Sequence, residues 1–84
     1  MSATTAKDAS ELVNELLGPV NENLIRAPMT AKEQRTVGLI RRMTILDEPH
    51  AIEFARVFAW EISTSPGGAE GLLRKRLPHL LVRP

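Results

Sequence analysis

The segment DEPHAIEFARVFAWEIS, Asp47 to Ser63, limits what this chain can fold into more than any other. Its spacing is helical, yet it carries apolar side chains on more than one side. A helix with one apolar stripe lies at a surface, whereas one that is apolar nearly all round is internal. On a helical wheel Ala51, Ile52, Phe54, Ala55, Phe58, Ala59 and Ile62 form one broad arc. That arc is the expected core face, and burying each large member contributes roughly 1.5–3 kcal/mol. Ala51, Ala55, Ala59 and Ser63 recur every four residues, a row of small side chains against which a second helix can pack closely. Val57 and Trp60 fall outside the arc, among Glu53, Arg56 and Glu61. Either this is a central helix enclosed by its own chain, or the two side chains sit at an interface, where tryptophan is enriched at hot spots. Both hold if a second copy completes the domain.

Size favours that last arrangement. A chain of 84 residues makes one small domain. Domains of this size bury only roughly 60–65% of the surface they expose when unfolded. There is no cysteine, which excludes disulfides, thiolate chemistry and Cys-zinc sites. A small core without staples commonly gains stability by pairing, and the two-fold dimer is the commonest closed assembly. Hydrophobic residues at 43% and charged residues at 25% describe a folded chain.

No apolar run approaches the ~18 residues of a membrane span. The first residues, MSATTAKDAS, lack the apolar stretch of a secretory signal. The expected compartment is therefore the cytoplasm, with no membrane contact.

Stop and start signals divide the chain into helices. Residues 1–7 read as a flexible tail and 8–84 as a single helical domain. A first helix fits Ala9 to Leu17, with Asp8 and Glu11 at capping-box spacing and Leu12, Val13, Leu16 and Leu17 on one face. Gly18-Pro19 stops it. In PVNENLIRAPM, Pro19 can open a short second helix that carries Val20, Leu24 and Ile25 inward. Asn21 and Asn23 weaken that helix.

The clearest start is TAKE, where Thr30 and Glu33 form a capping box. That helix is expected over Ala31 to Ile45, with Leu39, Ile40, Met43 and Leu46 on one side and Arg35 and Arg42 flanking. Gly38 within it costs roughly 1 kcal/mol relative to alanine, and such a glycine can mark close approach of a neighbouring backbone. Asp47 caps the next helix, which is expected to run to Ser63 before Pro66-Gly67-Gly68 breaks the chain. A last helix covers Ala69 to Leu77, Pro78 ends it, and HLLVRP follows as an apolar segment or ordered tail. No segment alternates like a strand. The expected fold is all-α: a compact bundle of four or five short helices, completed by dimerisation.

Several groups could in principle carry chemistry. His50 and Glu53 stand at i, i+3, a spacing found in carboxylate-bridged metal sites of bundles. Such sites need more ligands, and only His79 and scattered acids remain. His50 therefore reads as a surface histidine near a helix start, where the dipole mildly disfavours its protonation. SPGGAEGLLRK has glycines before a helix, but its spacing fits no phosphate loop and Glu70 would repel phosphate. No nucleophile stands with a base and an orienting acid. No catalytic residue, cofactor or metal is expected, and the chain does not read as an enzyme.

Charge is uneven along the sequence. Residues 1–29 hold Lys7 and Arg26 against Asp8, Glu11, Glu15 and Glu22, a net −2; residues 64–84 hold Arg74, Lys75, Arg76 and Arg83 against Glu70, a net +3. The ends are complementary, within a chain or between chains. The helices 31–45 and 48–63 can be set as a helix-turn-helix, and Arg41, Arg42, Arg74, Lys75 and Arg76 could then contact a phosphate backbone. The second helix, however, begins with Asp47, Glu48, His50 and Glu53, and phosphate repels the acids among them. GLLRKRLPHLL is basic and amphipathic, but proline interrupts it, and packing on its own domain or a sister subunit is expected.

The expectation is a small, non-catalytic protein–protein interaction module: an adaptor, inhibitor or regulatory subunit that pairs with itself. Val57 and Trp60 would anchor the partner, and Arg35, Arg41 and Arg42 would select an acidic surface at the rim. The alternative is a dimeric helical DNA-binding regulator.

Overall fold

Side-chain capping sets where three of the helices begin. In the computed structural model of this chain, residues 9–82 are described, so the expected 1–7 tail and the Asp8 cap lie outside them. Helix α1 runs Ala9–Leu17 as expected. Gly18 closes it in the left-handed region (φ 78°), its N–H donating to the Asn14 carbonyl at 2.8 Å. Helix α2 is Glu22–Arg26, shorter than the sequence suggested and not opened by Pro19. The Asn21 side chain caps it instead, accepting from the Asn23 and Leu24 amides at 3.0 and 3.4 Å. Asparagine weakens a helix interior but is among the best residues at its start.

Helix α3 covers Ala31–Met43, with both halves of the Thr30–Glu33 capping box formed. It stops two residues before the expected end because Thr44 turns extended. The Thr44 hydroxyl donates to the Ile40 carbonyl at 2.6 Å and accepts from the Leu46 amide at 3.1 Å. Of the expected side, Ile40 and Leu46 are buried, Met43 packs against the core and Leu39 is half-buried; Val37 and Thr44 join the buried stripe. No neighbouring backbone approaches Gly38; the nearest group an added Cβ would meet is the Arg42 guanidinium at 3.8 Å.

The Asp47–Ser63 segment is two helices, α4 over Glu48–Val57 and α5 over Ala59–Thr64. They meet at Phe58, whose backbone (φ −104°, ψ 23°) leaves the helical region. The bend has a packing cause. It keeps Phe58 stacked on Phe54, ring centroids 4.6 Å apart, and Ile62 against the core, while α5 turns onto the next helix. Helix α6, Gly68–Arg76, packs on α5 and α3. Gly71 in α6 lies so close to Pro66 that an added Cβ would collide with its carbonyl oxygen.

A single 3-10 turn, Pro78–Leu80, follows. The end of the described chain then clasps the α3–α4 turn. Ile45 donates to the Leu80 carbonyl at 2.9 Å and Val82 to the Met43 carbonyl at 2.8 Å, about a lone bridge between Thr44 and Leu81. Among the described residues the fold is all-α, with six helices and no strand.

Helix α4 lies antiparallel to α3, since Arg41 faces Glu48 at one end and Arg56 faces Glu33 at the other. Ala51, Ile52, Phe54 and Ala55 of the expected arc are buried, with Phe58 and Ile62 packed beside them; Ala59 is exposed. The polar side of α4 is covered too. Glu53 accepts the Asn21 amide at 2.8 Å. The Arg56 guanidinium donates to the Leu24 carbonyl at 2.8 Å, the Pro28 carbonyl at 3.0 Å and the Glu33 carboxylate at 3.1 Å. Only 10% of that side chain is exposed. It holds α2 and the 27–30 loop onto α3 and α4. The guanidinium also keeps the Glu33 carboxyl below its ordinary value, helped by the Thr30 amide.

Two predictions follow from this packing. Arg56→Ala strands two carbonyls and a carboxylate, and should lower unfolding stability by about 2–3 kcal/mol. Arg74→Ala removes only an exposed i, i+4 pair with Glu70, and should cost less than about 0.5 kcal/mol. Equal urea midpoints for the two variants would contradict the hub role of Arg56. Alanine should also act oppositely at two helical glycines: Gly38→Ala raises stability by about 0.5–1 kcal/mol, whereas Gly71→Ala lowers it by forcing α6 away from Pro66. Thermal unfolding of the pair reads both signs.

Candidate functional site

The exposed edge of the α4–α5 corner carries the side chains that the sequence singled out. Trp60 is 73% exposed and Val57 55%, so the enclosed-helix reading fails for both. Helical spacing is why: Phe58 and Ile62 face the core, and Val57 and the indole lie off that face.

Val57 also lines a cleft of about 420 Å³ where the end of α1, the middle of α4 and the end of α6 converge. Its apolar surface comes from Leu17, Leu46, Phe54, Val57, Phe58 and Leu77, and its polar groups are Glu53, His50 and Arg76. The Arg76 guanidinium carbon lies 5.8 Å from the centre of the Phe58 ring, within cation–π range.

His50 is the best-defined polar group here, and it is not the surface histidine expected. It is 4% exposed. Nδ1 is 2.6 Å from Asp47 Oδ1, and Nε2 is 2.8 Å from the Gly18 carbonyl oxygen. A carbonyl only accepts, so Nε2 carries a proton. Asp47 Oδ1 also accepts the His50 amide at 3.1 Å, as a helix-capping carboxylate does, so Nδ1 donates as well. Both contacts are satisfied at once only by the protonated ring, so this geometry favours the imidazolium. Burial pulls its pKa down most strongly of any single influence. The Gly18 carbonyl, the hydrogen bond and charge of Asp47 and the charge of Glu53 together outweigh it and raise the value.

With both nitrogens engaged, His50 offers no lone pair to a metal, and no group of three or more potential ligands occurs among the described residues. The cue lay in Asp47-x-x-His50: a capping aspartate three residues before a histidine can hold the ring as well as the backbone. Nothing in the sequence paired His50 with Gly18, 32 positions away.

The arginines lie elsewhere. Arg35, Arg41 and Arg42 are exposed on α3, and no described contact or cleft joins them to Val57 or Trp60. Arg41 is 3.8 Å from Glu48. Arg42 shares a second cleft, about 350 Å³, with Arg74, Met43, Leu81 and Val82. The two basic clusters thus meet at one place, with exposed Lys75 and Arg76 next to Arg74 in the sequence. No helix among the described residues is long and apolar enough to cross a membrane. Comparison with protein-family models, with curated proteins and with solved structures finds no match.

The charged groups set a pH window. His50 has a raised folded pKa, so its stabilising contribution is fully present below the ordinary value of 6.5 and is lost as pH rises through the folded value. Glu33 has a lowered folded pKa, so its contribution is present above 4.5 and is lost as pH falls. Urea unfolding followed from acid to alkaline pH should show a maximum between these limits. His50→Gln should remove the alkaline decline and leave the acid one; a decline unchanged in that variant would assign it to another group.

Proposed function

We propose that this protein is a small non-catalytic interaction module that pairs with itself through the Val57–Trp60 edge. Once paired, it binds an acidic protein surface through Arg35, Arg41 and Arg42 of α3. The observation that carries this reading is the exposure of Trp60. An indole left in water is the kind of anchor that hot spots are built on, and Val57, one turn before it, lines an apolar cleft. Separation of the arginines from that edge suits two roles, apolar pairing on one face and charge selection on another. The engagement of both His50 nitrogens supports a structural use for the one buried histidine rather than a catalytic one.

A second reading, a dimeric DNA-binding regulator, is favoured by the meeting of Arg42 with Arg74 at one cleft. In a dimer the surface holding Arg41, Arg42, Arg74, Lys75 and Arg76 would be doubled. Arg41 and Arg74 each have a carboxylate beside them, Glu48 and Glu70, which weakens that surface as a phosphate contact. Steep loss of DNA binding with salt in a gel-shift titration would favour this reading, and no binding at low salt would remove it.

Light scattering on Trp60→Ala tests the first reading. Because the side chain is exposed, unfolding stability of the monomer unit should change by no more than about 0.5 kcal/mol, while the dimer fraction falls. An oligomer unchanged by the substitution would exclude Trp60 from the self-contact.

A further inference from the structure

We infer that the cleft between α1, α4 and α6 receives helix α1 of a second copy of this chain. Leu12 and Leu16 would seat in it, with the acidic edge of α1 against the basic last turn of α6. This rests on the reading of the protein as a self-pairing module and adds a second contact beside the Val57–Trp60 edge, since Val57 lines the same cleft.

Helix α1 lacks cover. At nine residues it is shorter than an isolated helix can sustain in water. Val13 is the one side chain of α1 buried among those described. Leu12, Leu16 and Leu17 are 39%, 58% and 48% exposed, although they share the apolar face that made the segment helical. A helix this short and this uncovered needs a second surface for its leucines.

The cleft has the complementary chemistry. Its wall is largely apolar, and its polar members are Glu53, Arg76 and His50. The carboxylate of Glu53 is engaged by the Asn21 amide at 2.8 Å. Exposed Lys75 and Arg76 make the α6 rim basic, while exposed Glu11 and Glu15 flank the α1 leucines. The same opposition runs through the whole chain, net −2 over residues 1–29 and net +3 over residues 64–84.

Leu17 decides between a second copy and a foreign helix. It belongs both to the uncovered face of α1 and to the wall of the cleft, so the two surfaces are contiguous. Contiguous, mutually complementary surfaces suit a two-fold contact in which each copy gives its helix and receives the other's.

The test is sedimentation equilibrium on the full chain, with far-ultraviolet circular dichroism for helix content. The wild type should be dimeric. Leu12→Lys/Leu16→Lys should weaken the dimer by about tenfold or more. Arg76→Glu leaves α1 untouched, so it reads the contact even if the lysines unravel that helix; it too should weaken the dimer. Adding Glu15→Lys to Arg76→Glu should restore it. Loss in both variants supports the contact. A wild-type dimer that survives either variant overturns it while leaving self-pairing in place. A wild type that is monomeric at every concentration overturns both.

Discussion

One guanidinium decides where the first half of this chain goes. Arg56 rises from α4 into a nearly closed site and meets two backbone carbonyls, of Leu24 and Pro28, and the carboxylate of Glu33. Those carbonyls belong to α2 and the loop after it, a segment whose helix has no buried residue. Ile25 and Met29 pack against the core only half-buried, and a charged donor at the right position adds the hold that this partial burial lacks. Glu53, one turn earlier on α4, adds the Asn21 amide to the same clasp. With α2 fixed, the loop carrying Gly18 is brought over the start of α4, where His50 takes its carbonyl. Cleft, helix α1 and the buried histidine are all downstream of that placement.

The parts of the fold legible in sequence are those written in local chemistry. Thr30-x-x-Glu33 and Asp47 announced two helix starts because a cap is a contact between residues three apart. Gly18 announced a stop because only glycine enters the left-handed region without strain. The α4 arc read correctly at Ala51, Ile52, Phe54 and Ala55, where helical spacing alone selects a face. Reading failed where tertiary packing overruled local pattern. No proline or glycine marks the bend at Phe58; the competing demands of Phe54, Ile62 and α6 produce it. The early end of α3 comes from a threonine side chain turned back on its own helix, and from a partner strand-like segment more than thirty residues away.

The candidate surface was half legible for the same reason. Val57 and Trp60 stood out because a wheel shows which side chains a single face cannot hide. Their neighbours could not be read, since Leu17 and Arg76 reach the cleft from opposite ends of the chain. Sequence offers no measure of where the arginines of α3 lie relative to Trp60. In the fold, the indole and the guanidinium groups have no described contact in common. His50 was misjudged because exposure was inferred from position at a helix start, while its second acceptor comes from a turn that sequence distance conceals.

Helix α1 carries a consequence for how the molecule comes apart. Among the described side chains of α1 only Val13 is buried, whereas α3, α4 and α6 share the bulk of the core. Segments with so few buried contacts open below the free energy of global unfolding. The first helix thus behaves as a separate cooperative unit: it can melt and re-form while the remaining bundle stays intact, and its amide protons exchange with solvent long before those of the helices beneath it.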